Sequence, residues 1–128
     1  VNDVDLQGLG VVRGDGVELV LTLGTGMGAA LFTDGALVPN LELGHHPFRD
    51  GQTYEDLVRD SELKRIGPVE WTARVLDAIQ QIEPIFNYDV LHLGGGNSMN
   101  IQADLPGNVR VFTLAEGLRG ALRLWDDA

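Results

Sequence analysis

The chain has no cysteine among its 128 residues. A disulfide framework and a cysteine-ligated zinc site are therefore excluded. Basic residues are scarce: nine Lys and Arg stand against nineteen Asp and Glu, giving a net charge of -10. Nucleic acid and anionic membrane surfaces recruit clustered Lys and Arg, so neither fits as a partner. No apolar run approaches the ~20 residues of a membrane span, and no signal-like N-terminus is present. The histidines are only His45, His46 and His92; with no thiol beside them, no metal site is expected. The acidic balance suits solubility, and a reducing cytoplasm fits a cysteine-free chain.

What is present suits one globular α/β domain, with 44% hydrophobic residues and enough length for its own core. Residues 4–12 read as a short helix, and Gly14-Asp15-Gly16 as a turn. Val17–Leu23 (VELVLTL) reads as a buried strand and 29–33 (AALFT) as its partner, with 24–28 as the loop between them. Asp34-Gly35 is a hairpin turn that returns through Ala36–Val38. Residues 54–66 read as a polar surface helix. Pro68–Phe86 is the clearest helix. Pro68 suits its first position, Val75, Ile79, Ile82 and Phe86 fall on one stripe, and Pro84 weakens the last turn. Residues 88–93 form a strand that runs into Gly94, Gly95 and Gly96, and Asn97-Ser98 can cap a short helix. A last strand over 109–113 and a last helix over 115–125 follow, with Trp71 and Trp125 as packing residues. Strands that first meander and then alternate with helices predict a layered α/β fold on a mixed sheet.

Four segments carry candidate chemistry. In Gly24-Thr25-Gly26-Met27-Gly28 the glycines let backbone N–H groups approach an anion, and Thr25 adds a hydroxyl. The alternative is a tight β-turn without a ligand; no Gly-Lys-Ser/Thr follows, so this is not a Walker loop. In Leu41-Glu42-Leu43-Gly44-His45 a carboxylate and an imidazole three positions apart can grip two sugar hydroxyls. Otherwise Glu42 is a surface charge and His45 a turn residue; His46 reads as structural. At Asn2-Asp3 an aspartate can take the proton of a hydroxyl as that oxygen attacks phosphorus, while the asparagine holds a neighbouring hydroxyl. The alternative is a helix cap at Asp3. Gly94, Gly95 and Gly96 permit close approach of a nucleotide, or only a tight strand-to-helix turn.

In this order the segments resemble the ROK family of sugar kinases and sugar-responsive repressors, and within it the polyphosphate glucokinase-like branch. The likeness covers essentially the whole chain, through VNDVD, TLGTGMGAALF, LVPNLELGH, LGGGN and AEGLRGA. VPNLELGH is the most distinctive run. The resemblance implies an actin-like ATPase, ribonuclease H-like lobe, a mixed sheet flanked by helices. It implies Asp3 as the catalytic base on a sugar 6-hydroxyl, with Asn2, Glu42, His45 and Glu55 binding the sugar. Gly24, Thr25, Gly26 and Gly28 would face the transferred phosphoryl group, and Gly94, Gly95 and Gly96 the nucleotide or phosphate donor.

The implied cofactor is Mg²⁺ on ATP or polyphosphate. Without the cysteine cluster that many family members use, no zinc is expected. The family's first lobe carries an Asp-x-Gly-Gly-Thr phosphate loop that is absent here. The resemblance thus implies that residues 1–128 are the C-terminal lobe of a two-lobe enzyme, inactive alone. The expected reaction is phosphoryl transfer from ATP or polyphosphate to the 6-hydroxyl of glucose or a related hexose, by a cytoplasmic homodimer. Two alternatives remain. A sugar-sensing regulator of the family would need a basic helix-turn-helix, and none is visible. An inactive remnant would not need Asn2, Asp3, Glu42 and His45 together.

Overall fold

The computed structural model describes residues 3–39 and 41–126. Asn2 and the side chain of Trp125 lie outside the described residues. Helix α1 (Asp3–Val11) opens the chain, and the strands β1 (Val17–Leu23), β2 (Met27–Thr33) and β3 (Ala36–Val38) follow as a meander. β1 is rich in Val and Leu and is buried nearly throughout. A strand covered on both faces has no need to alternate apolar and polar residues. β2 begins at Met27, paired with Leu23, so the glycine loop is shorter than 24–28. The Asp34-Gly35 turn takes positive φ at both residues, as its hairpin geometry requires.

A 3-10 turn (Leu43–His45) and a small hairpin of β4 (Pro47–Arg49) and β5 (Gln52–Thr53) come next. The hairpin turns on Asp50 and Gly51, both at positive φ. Residues 54–66 are not one surface helix. They form α2 (Tyr54–Val58) and α3 (Asp60–Ile66), broken where Arg59 is extended at φ -64 and ψ 160. Thr53 and Asp56 form a reciprocal capping box that starts α2. Tyr54, Leu57 and Val58 stand at i, i+3 and i+4 and are buried in the main core, so this segment is interior on one face.

α4 (Pro68–Phe86) buries Trp71, Val75, Ile79 and Ile82 against one face of the sheet. It continues through Pro84 to a left-handed Asn87. Pro84 lies on the exposed side, where the carbonyl it leaves unpaired can meet water. β6 (Val90–Gly94), a second 3-10 turn (Gly96–Asn100), β7 (Val109–Val111) and α5 (Leu114–Asp126) complete the fold. The strand order is β3-β2-β1-β6-β7, with β2 antiparallel to β1 and both β6 and β7 parallel to their neighbours. α1 covers the second face over Val20, Ala30 and Phe32. Gly8 makes that packing possible, since a Cβ there would sit 2.6 Å from the Phe32 ring.

Candidate active site

β1 and β6 run parallel, and their register pairs Thr22 with Gly94. Their C-terminal ends therefore open side by side, and each strand passes directly into a glycine turn. Ligands of open α/β sheets bind at such strand ends. A cleft of about 380 Å³ lies there, lined by Asp3, Gln7, Thr22, Leu23, Gly24, Thr25, Gly26, Met27, Gly28, Glu55, Gly95 and Gly96. The fold thus brings most of the candidate residues into one place from four separate segments.

The glycines differ in what they permit. Nothing lies within 4 Å of a Cβ built on Gly24 or Gly96, so the space above both turns is open to a ligand oxygen. Gly95 has φ 88, and a Cβ on it would stand 2.6 Å from the backbone nitrogen of Leu23. Only glycine lets the two turns touch there. Gly26 lies directly over the Glu55 carboxylate, and Gly28 over the Thr22 hydroxyl and Val4. Gly94 is outside the cleft. It is the last residue of β6, and its Cα faces the ring of Phe112.

Glu55 stands at the centre. Its Oε1 accepts the backbone N–H of Met27 at 2.9 Å. Its Oε2 lies 3.8 Å from both His45 Nε2 and the Arg59 guanidinium. His45 is itself exposed and reaches the cleft only through Glu55. Glu42 precedes the 3-10 turn, and its carbonyl accepts the His45 N–H at 3.1 Å. Glu42 does not line the cleft; it lines a separate small cavity with Leu41, Leu43 and His46. Gly44 packs the turn against β2, where a Cβ would be 2.7 Å from the Met27 carbonyl. His46 bonds its neighbour's carbonyl and packs near Tyr54, as a structural residue does.

Asp3 is exposed in the first turn of α1, with Gln7 one turn further along the same face. Gln7 and Thr22 are cleft residues that sequence reasoning did not pick out. The i, i+4 relation to Asp3 was the available signal for Gln7. Its Oε1 is shielded from solvent and accepts no hydrogen bond among the described residues. A larger cavity of about 720 Å³ lies on the α1–α5 side, between His92, Arg110 and Arg119. It contains no candidate residue, so size does not mark the site here. Among the described residues no cluster of three His, Asp or Glu side chains could hold a metal ion.

No family model matches the sequence. A polyphosphate glucokinase of Mycobacterium leprae (strain TN) is 31% identical over 114 residues, covering 83% of this chain and 35% of that protein. The crystal structure of the inorganic polyphosphate/ATP-glucomannokinase from Arthrobacter sp. strain KM aligns with a TM-score of 0.80 at 28% identity, over 100% of this chain and 56% of that one. A ROK hexokinase from Thermus thermophilus shares the fold with a TM-score of 0.70 at 20% identity, over 98% of this chain and 65% of that one. The mixed sheet with helices on both faces is therefore the actin-like ATPase class of α/β fold. Within that class the chain is similar to polyphosphate glucokinases and to ROK-family sugar kinases, a likeness that supports a ROK sugar-kinase fragment. It spans well under two thirds of the length of these polyphosphate-using relatives.

Proposed function

We propose that the chain is the C-terminal lobe of a glucokinase-type enzyme. The enzyme transfers a phosphoryl group from ATP or polyphosphate to the 6-hydroxyl of glucose or a related hexose. The observation that carries this reading is the single cleft shared by Asp3, two glycine turns and Glu55. The relatives named polyphosphate glucokinase and polyphosphate/ATP-glucomannokinase support the substrate class. A reducing cytoplasm fits the cysteine-free chain and belongs to this reading. A homodimer is part of the same reading.

In the reaction Asp3 accepts the proton of the sugar hydroxyl as that oxygen forms its bond to phosphorus. The bond from phosphorus to the leaving phosphate oxygen breaks, and the electron pair leaves with the donor. Asn2, Glu55 and, through it, His45 orient the sugar, with Glu42 on the same turn. The open backbone over Gly24 and Gly96 gives the phosphates room, with Thr25 as a hydroxyl donor. Catalysis is then mainly positioning and charge stabilisation. Mg²⁺, when bound on the donor phosphates, would offset their charge; Asp3 and Glu55 are the carboxylates in the cleft that its water shell could meet.

Asp3→Asn tests the assignment in the protein with its native flanking sequence. Turnover should fall by a factor of ~10²–10⁴ with little change in sugar affinity. Full turnover in that variant removes Asp3 from the role. The 128-residue chain alone should be nearly inactive, and efficient glucose phosphorylation by it would contradict the lobe assignment.

A further inference from the structure

We infer that the elbow between α2 and α3 is a clasp that positions both glycine turns, for the phosphoryl transfer proposed above. Three contacts converge on residues 55–60. Glu55 Oε1 takes the N–H of Met27 at 2.9 Å. The N–H of Asp60 donates to the carbonyl of Gly24 at 2.9 Å. Oδ1 of Asp60 accepts from Nδ2 of Asn97 at 3.1 Å, in the turn that follows Gly95 and Gly96. The first turn is thus held at both of its ends, and the second is tied to the same short segment.

The fold leaves this work to the elbow. β3 pairs with β2 only at residues 31–33, so among the described residues the edge of β2 at Met27 has no strand beside it. A backbone donor there needs another acceptor, and Glu55 supplies it. The elbow is itself anchored. Val58 and Leu57 are buried, and the carbonyl of Val58 accepts the Trp71 indole N–H at 2.8 Å. Arg59 is extended, which turns Asp60 back toward Gly24. Lys64 beside Asp60 and the Asn97 amide hold the Asp60 carboxyl below its usual range, so it stays a charged acceptor.

Asp60 does not line the cleft. It is a positioning residue, acting through the spacing of two turns that a bound phosphate chain must span together. A small misplacement of such groups costs far more in turnover than in sugar binding.

The test is Asp60→Ala against Asp60→Asn, which keeps an Oδ1 acceptor for Asn97. Amide resonances of the 128-residue chain are read first. Asp60→Ala should shift the signals of Gly24, Thr25 and Gly26 as well as Gly95, Gly96 and Asn97, and Asp60→Asn should restore them. Shifts confined to residues around position 60 would overturn the clasp. Asn97→Ala breaks the same bond from the other turn and should give the same two-turn pattern, which keeps the test open if Asp60→Ala folds poorly. In the form of the protein that phosphorylates a hexose, Asp60→Ala should lower kcat roughly tenfold or more, with the sugar KM within about twofold. An unchanged kcat would also overturn the clasp. If the wild-type protein transfers no phosphate to any hexose, the kinase reading falls, while the resonance pattern still decides whether the elbow couples the turns.

Discussion

Nε2 of His92 lies 2.9 Å from Oε1 of Glu18, a residue with no solvent exposure. The carboxylate can only accept, so Nε2 carries the proton. The same carboxylate accepts the N–H of Arg13 at 2.8 Å and of Gly14 at 3.0 Å. Glu18 therefore ties the segment after α1 to strands β1 and β6, on the side of the sheet away from the core under α4. The pair stands apart from the cleft, and its role is structural.

This arrangement predicts how stability depends on acid. Burial pushes the Glu18 carboxyl up, but the N–H of Arg13, the His92 ring and the N–H of Gly14 together hold it below its ordinary 4.5. A group with a depressed folded-state pKa stabilises above its unfolded value, and the contribution is lost as pH falls through the folded one. Stability measured by denaturant should thus decline below about pH 4.5. Glu18→Gln should flatten that decline and cost about 2 kcal/mol at neutral pH, because one of the two accepting oxygens becomes an NH₂ and leaves a backbone N–H of Arg13 or Gly14 without its acceptor. An unchanged acid slope in Glu18→Gln would remove this group as the source.

The two glycines of the second turn should respond differently to alanine. Gly95 has a conformation that L side chains rarely adopt, and a Cβ on it meets the backbone of Leu23, which has no slack. Gly95→Ala should lower unfolding stability by about 2 kcal/mol or more. Gly96 has open space around it, so Gly96→Ala should lie within about 0.5 kcal/mol of wild type. A loss of phosphoryl transfer in Gly96→Ala, without a loss of stability, would then report ligand contact.

Gly94 makes a third case. Its Cα faces the Phe112 ring, so Gly94→Ala should overpack that contact and cost about 1–3 kcal/mol. Pairing it with Phe112→Leu should recover part of the loss. Strictly additive costs in thermal or urea unfolding would show that the two residues do not share that space.

Much of the fold was legible along the chain. β1 announced itself through a Val- and Leu-rich run, α4 through its apolar stripe, and the first hairpin through Asp34-Gly35. The 54–66 segment was misread because its charged residues dominate its composition. Burial of Tyr54, Leu57 and Val58 depends on a break at Arg59 that no local residue preference marks. The Asp50-Gly51 hairpin had a turn signal, but its flanking strands are too short to show periodicity.

The candidate site divides in the same way. Sequence alone determined which residue types were available: a carboxylate at position 3, two glycine turns and the Glu42–His45 pair. Glycine's lack of a side chain is a local property, so it can be read locally. Which of these residues meet was decided by the parallel pairing of β1 with β6, a contact between segments about 70 positions apart in the chain. That pairing brought the two turns together and left Gly94 beneath Phe112. The packing of the short helix α2 beside the start of β2 made Glu55 the link from His45 to the first turn. Such positions follow from packing of the whole chain, where many weak contacts act at once, and no single stretch of residues encodes them.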